Sequence, residues 1–124
     1  MSELTEAEVY NQDVDIHTLP IYTRSQLADY DGIKDPHIYV AIRGYIYDVT
    51  ANANSYGPGK GYHKLVGKDV SRLLGLNRLV LAETDENTWN TDDFDDKQNQ
   101  AVDNWVAFFR KRYRIIGVVV HHQR

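Results

Sequence analysis

The sequence predicts an α+β fold, a small mixed sheet with short helices around it. Three observations predict it. Apolar residues alternate along 38–49 on either side of a glycine turn. The strongest helical periodicity comes late, over 97–113, and an apolar run, Ile115-Ile116-Gly117-Val118-Val119-Val120, follows it.

Residues 1–20 show no clear periodicity and read as an N-terminal arm, with Val14, Ile16 and Leu19 available to pack on the domain. Pro20 precedes a short extended piece, Ile21-Tyr22. Thr23-Arg24-Ser25-Gln26 is a capping box, a threonine N-cap with glutamine three residues on. The helix it opens places Leu27 and Tyr30 inward and has Gly32 just past its end.

Ile38, Val40 and Ile42 alternate with Tyr39, Ala41 and Arg43, the pattern of a half-buried strand. Arg43-Gly44 marks a turn, and Tyr45 to Val49 returns as the paired strand. Thr50 to Ser55 is polar enough to open a short helix. After the loop Tyr56–Tyr62, residues up to Gly67 form a second short helical piece. Asp69 caps a third helix, with Val70, Leu73 and Leu74 facing inward and Gly75 ending it.

Residues 83–96 carry seven acids and no base, which reads as a solvated loop insertion with one anchor, Trp89 or Phe94. From Lys97 to Tyr113, Val102, Trp105, Phe109 and Tyr113 recur on one helix face. Arg110, Lys111, Arg112 and Arg114 sit where cations offset the helix macrodipole. The domain is thus expected over 21–120, followed by a tail at 121–124. There is no internal repeat.

A chain of 124 residues, 42% of them hydrophobic, holds one domain with a modest core. The absence of cysteine removes disulfides, iron–sulfur clusters and zinc-thiolate sites. A net charge of −4 argues against nonspecific nucleic-acid binding. No apolar run approaches the length of a membrane span, and the acidic start is unlike a targeting peptide. Nine tyrosines against three phenylalanines suit the walls of a pocket for something flat and amphipathic.

The run Tyr56-Gly57-Pro58-Gly59-Lys60-Gly61-Tyr62 sets three glycines and a proline between two tyrosines, a tight exposed loop able to present a phenol. Phenolate is one of the few side-chain ligands for ferric haem, and without cysteine the thiolate alternative is gone.

The order of these features resembles the membrane-associated progesterone receptor (MAPR) family, a branch of the cytochrome b5-like haem/steroid-binding domains. The resemblance rests on Tyr22-Thr23 to Gly32, the hairpin ending Tyr47-Asp48-Val49-Thr50, the tyrosine loop, Gly67-Lys68-Asp69-Val70-Ser71-Arg72, and Trp105 to Tyr113 with Gly117. It covers roughly residues 21–120. It implies a cytochrome b5-like fold around a haem pocket, with haem b as cofactor. It also implies Tyr62 as the axial iron ligand, Tyr56 hydrogen-bonded near that ligand, and Arg112-Tyr113 on the haem side of the pocket. The His-Pro-Gly-Gly loop of the bis-histidine cytochromes is absent.

Two positions depart from the family. Arg112 stands where a lysine is usual, and it favours flat, bidentate contacts such as a propionate. His63-Lys64-Leu65-Val66 replaces small residues after the ligand tyrosine, which leaves His63 open as an alternative ligand. His17, His37, His121 and His122 have no convincing partner.

The resemblance implies a non-catalytic haem-binding protein with a five-coordinate tyrosinate-ligated ferric haem. Such a protein would support sterol-metabolising haem-thiolate monooxygenases or handle haem. A steroid or sterol carrier without haem is the alternative, and a bis-histidine electron-transfer protein is the third reading. No carboxylate, Asp48 and Asp69 included, lies near a nucleophile and base in sequence, so no enzymatic activity is expected. Family members usually carry a membrane anchor before the domain, and here a polar arm occupies that place. The expected location is therefore intracellular and soluble in the cytoplasm, or peripheral at the endoplasmic reticulum membrane through the basic Arg110–Arg114 patch. An exposed haem face predicts a haem-dependent homodimer.

Overall fold

Strands form where β-branched and aromatic residues cluster, and their order is set by the last of them. In the computed structural model, which describes residues 4–78 and 87–120, β1 (Ile21–Thr23), β2 (Tyr39–Ile42), β3 (Tyr45–Asp48) and β4 (Ile115–Val120) make one sheet in the order β1-β4-β3-β2. β4 pairs in parallel with β1, Ile21 opposite Val118, and antiparallel with β3, Ile46 opposite Gly117.

The β2–β3 hairpin turns on Arg43 and Gly44, both left-handed at φ 52 and 82. A two-residue turn of this hand matches the twist of the strands. It is also held from outside. The Arg43 N–H donates to Ser71 Oγ at 2.6 Å, and the Gly44 N–H donates to Asp69 Oδ2 at 2.7 Å.

Both faces of the sheet are covered. On the front, Val40, Ile42 and Tyr47 pack against Val102 and Phe109 of α5 (Asp96–Arg112), with Leu73 of α4 (Ser71–Leu76) and Leu65 completing the main core. On the back, Leu27 of α2 (Arg24–Leu27), Ala41, Ile46 and Val119 form a smaller cluster, roofed by Tyr22 and Tyr39. The expected half-buried strand is therefore buried on both sides at Val40, Ala41 and Ile42.

The capping box at Thr23 and Gln26 is present as expected. A second one, Asp95 with Gln98, opens α5. Three local expectations are corrected, the first at Asp69, since the N-cap of α4 is Val70 without a side-chain hydrogen bond. Gly75 does not end its helix: α4 runs to Leu76 and stops at Asn77 in the left-handed region. Gly75 instead makes room for the Phe94 ring, which a Cβ would overlap. Phe94 thus anchors the acidic segment to the front core. Trp89 meets the Arg24 guanidinium at 4.5 Å, so both candidate anchors are used. Residues 83–86 of that segment lie outside the described residues, as do 121–124 with His121 and His122.

The stretch 1–20 holds a helix that periodicity did not show, α1 (Glu6–Asp13). Its docking is largely polar. Thr5 Oγ1 donates to the Lys111 carbonyl at 2.6 Å. Buried Asn11 donates from Nδ2 to the Arg110 and Tyr113 carbonyls at 3.1 and 2.9 Å, and its Oδ1 accepts from the Ile115 N–H at 2.8 Å. One side chain thereby satisfies groups that the end of α5 leaves open. Leu19 packs on the core as expected, whereas Ile16 is exposed.

Candidate functional site

The tyrosine loop starts where α3 (Ala53–Tyr56) stops. Gly57 is required there, since a Cβ would lie 2.5 Å from the Ala53 carbonyl oxygen. The loop closes on itself when the Tyr62 N–H donates to the Ser55 carbonyl at 3.0 Å. This leaves the two phenols with different fates. Tyr56 is buried at 3% exposure, while Tyr62 is 44% exposed at the surface.

Three of the sequence-derived site residues come together. The Tyr56 ring lies 5.7 Å from that of Tyr62 and 6.2 Å, perpendicular, from that of Tyr113. Tyr113 follows the last turn of α5 and packs edge-on to Phe109 at 5.2 Å. Asn52, just before α3, donates from Nδ2 to Tyr113 Oη at 2.9 Å. Burial holds the Tyr56 phenol well above its usual pKa, with the neighbouring Tyr113 and Tyr62 hydroxyls adding to the effect. Tyr56 is thus a neutral hydroxyl, able to donate a hydrogen bond.

Arg112 is placed apart. Its guanidinium lies 4.0 Å over the Phe108 ring and lines an open cleft of about 750 Å³ with Tyr10, Asp48, Asn52, Tyr113 and Arg114. Tyr62 lines a different and smaller cleft of about 120 Å³, with Leu65, Leu73, Leu74, Asn77, Arg78 and Trp105. Tyr56 touches the aromatic wall of both. Along α5 the rings of Trp105 and Phe108, 5.6 Å apart, connect the smaller cleft to Arg112.

His63 is held by its own loop. Its Nδ1 lies 2.9 Å from the Tyr56 carbonyl, which can only accept, so Nδ1 carries a proton and Nε2 is the ring nitrogen left for any ligand role. His37 pairs with Asp35 at 2.7 Å away from this cluster. The carboxylates have structural partners. Asp48 accepts from the Thr50 N–H and hydroxyl, and buried Asp69 accepts from Ser71 and Gly44. Among the described residues no group of three His, Cys, Asp or Glu could hold a metal ion.

Sequence reasoning missed Asn52 and Asn11. An asparagine in a polar stretch has no pattern of its own. Only the approach of a tyrosine hydroxyl from residue 113, or of carbonyls from 110 and 113, gives it a role.

The residues fit a porphyrin with one exposed phenol as donor, supported by two further phenols and an aromatic rim. An enclosed ligand pocket is usually about 300–1,000 Å³, and the cleft beside Tyr62 is well below that. The phenols and rings therefore offer a donor and a rim without a closed pocket around them.

Comparisons with known proteins agree with this architecture. Residues 23–85 match the model of the Cytochrome b5-like Heme/Steroid binding domain. The chain is 33% identical to the Cytochrome P450 regulator dap1 of Schizosaccharomyces pombe, over 80% of its own length and 62% of that protein. It is 30% identical to the human Membrane-associated progesterone receptor component 2, over 77% of its length and 43% of that protein. It thus spans only 62% and 43% of the length of these two relatives. A solved structure from Arabidopsis thaliana, described as having a cytochrome b5 like fold, superposes with a TM-score of 0.72 at 33% identity, covering 84% of this chain and 94% of that one. Among the described residues no helix is long and apolar enough to cross a membrane. The tyrosine loop, the aromatic end of α5 and these matches lead to one conclusion: the chain belongs to the membrane-associated progesterone receptor family of cytochrome b5-like haem/steroid-binding domains.

Proposed function

We propose that this domain binds haem b as a five-coordinate ferric complex with Tyr62 as the axial ligand, and that it acts as a non-catalytic partner of sterol-metabolising haem-thiolate monooxygenases or in haem handling. The observation that carries the reading is the contrast within one loop: an exposed phenol, Tyr62, backed by a buried neutral phenol, Tyr56, which is itself in contact with Tyr113. Bound ferric haem would supply a Lewis-acidic iron that favours the phenolate form of a phenol whose free pKa is about 10. Tyr56 supplies a donor toward the ligand oxygen, and Asn52 steadies Tyr113 behind it. Arg112 lines a cleft separate from that of Tyr62, so its part as the cation for a propionate requires the haem edge to reach along the Trp105–Phe108 rings to it.

Phenolate favours Fe(III), which lowers the reduction potential and suits holding or sensing more than electron shuttling. Support for a monooxygenase partner comes from the yeast relative, whose name describes a cytochrome P450 regulator. The proposal places the domain in the cytoplasm or peripherally on the endoplasmic reticulum membrane, in keeping with the membrane-associated name of the human relative. The open haem face lets two copies stack, giving a haem-dependent homodimer.

The test is a haemin titration followed by absorption, wild type beside Tyr62→Phe. The expected result is a stoichiometric high-spin spectrum with a phenolate charge-transfer band, lost in the variant. A low-spin spectrum that survives the variant assigns the iron to His63, whose Nε2 is the ring nitrogen left for a ligand role. No uptake by the wild type, with saturable sterol binding instead, overturns the haem reading in favour of a sterol carrier. Sedimentation with and without haemin checks the dimer, and a monomer in both conditions removes it.

A further inference from the structure

We propose, resting on the haem reading above, that Arg78 at the lip of the Tyr62 cleft receives a carboxylate of the bound haem, in the place the family resemblance gives to Arg112. Tyr62 and Arg78 line the same cleft, together with Leu65, Leu73, Leu74 and Trp105. The three leucines are buried and make an apolar floor, whereas Tyr62 and Arg78 reach the surface. Among the described residues Arg78 is the only charged group on that lining. An apolar floor with one phenol and one guanidinium suits a flat apolar body that carries its acid at the rim. The stem of an arginine can lie along such a lip while its guanidinium stays in water.

The end of α4 holds Arg78 in place. The helix stops at Asn77, whose backbone is left-handed at φ 55. The Asn77 N–H donates to the Leu74 carbonyl at 3.2 Å, and the Arg78 N–H donates to the Leu73 carbonyl at 2.9 Å. This is the pairing of a Schellman cap, and it ties the Arg78 backbone to two leucines of the floor. The side chain is left uncommitted. Among the described residues Arg78 makes no ion pair, whereas Arg72 in the same helix is held by Asp93 at 2.7 Å. Lys60 and Lys64, on either side of Tyr62 in sequence, are exposed but do not line the cleft. Arg112 has the weaker claim on two counts. It lies over Phe108 in a different cleft, and that cleft also holds the side chain of Asp48. An incoming carboxylate meets a like charge there and meets none on the described lining beside Arg78.

The test titrates the full chain with ferric haemin and with its dimethyl ester, in which both acids are blocked, in the same micellar detergent. Binding is read by quenching of tryptophan fluorescence and by the phenolate charge-transfer band. Arg78→Gln is expected to bind haemin about tenfold more weakly than wild type and the ester equally well, with the band unmoved. Arg78→Lys keeps the charge but not the flat fork, and should weaken haemin about threefold. Arg112→Gln should bind both compounds like wild type. Arg78 is exposed, and its N–H bond to Leu73 survives any residue but proline, so each Arg78 variant should unfold like wild type. Haemin affinity unchanged in Arg78→Gln overturns the proposal. So does an equal loss for haemin and ester, or a loss selective for haemin in Arg112→Gln and absent in Arg78→Gln. In all three cases the Tyr62-dependent band remains. No uptake of either compound by wild type is instead the failure of the haem reading itself, and takes this proposal with it.

Discussion

The two faces of the sheet use the same residue type in opposite ways. On the front, Tyr47, Tyr56 and Tyr113 are buried in a deep layer under α5, and the hydroxyl of Tyr113 is held by Asn52. On the back, Tyr22, Tyr30 and Tyr39 form a thin layer of rings that are only part-buried, and Tyr22 and Tyr30 line a groove. What differs is the thickness of the cover. A seventeen-residue helix excludes water from the front, so each phenol there needs an internal partner. A four-residue helix cannot do so on the back, where Tyr22 and Tyr30 meet each other and the solvent. Burial thus separates the supporting phenols, Tyr56 and Tyr113, from the part-buried rings of the back, while Tyr62 alone of the site tyrosines is exposed.

The largest test of this contrast compares Phe109→Ala on the front with Val119→Ala on the back. The first removes a ring that is 1% exposed and in contact with Tyr47, Tyr56 and Tyr113, and should cost about 3–5 kcal/mol in urea unfolding. The second, in the smaller cluster, should cost about 2 kcal/mol. Equal losses would mean that the back layer is as deep energetically as the front. Asn11→Ala comes next. It strands two carbonyls and an N–H at the end of α5, with an expected loss of about 2–3 kcal/mol by the same measurement.

Alkaline pH should act next. Burial pushes the Tyr47 phenol up to about 12, opposed only in part by Arg110, and burial likewise pushes Tyr39 up to about 12. In the unfolded chain both titrate near 10.0. The folded state therefore keeps protons that the unfolded state gives up. Its stability is complete below pH 10 and falls as pH rises toward about 12. A melting temperature that stays level through that window would show that these phenols are solvated. The smallest effect belongs to Asn52→Ala. Stability should change by no more than about 1 kcal/mol, while the phenolate charge-transfer band of the haemin complex moves because Tyr113 is no longer held. An unmoved band would show that Asn52 has no influence on the ligand.

Much of the fold is legible in the sequence because local chemistry agrees with tertiary structure. The Thr23 capping box, the Arg43-Gly44 turn and the apolar stripe of Val102 and Phe109 all read directly. What could not be read is what depends on a distant partner. Helix α1 docks through Asn11 and Thr5, so its sequence lacks an apolar stripe. Gly75 looks like a helix stop until Phe94 is seen resting on it. At the site, the glycines mark a loop able to present a phenol and the helix period marks Tyr113 as core-facing, while the roles of Tyr62, Tyr56 and Arg112-Tyr113 rest on the family resemblance. The position of Arg112 over Phe108, in a cleft separate from that of Tyr62, is set by the path of the chain after α5 and has no local signature.

The place of β4 between β1 and β3 has a consequence for how the molecule comes into being. During synthesis the first and third strands appear early but have no contact to make with each other, because the strand that joins them is the last. Until residue 120 has left the ribosome, the Tyr22 ring lacks the glycine it covers, and Asn11 lacks the Tyr113 carbonyl and Ile115 N–H that it bonds. Contacts spanning almost the whole chain make folding slow relative to a helical bundle of this size. The sheet therefore cannot be completed until β4 joins β1 to β3, and until then the apolar edges it would cover stay open.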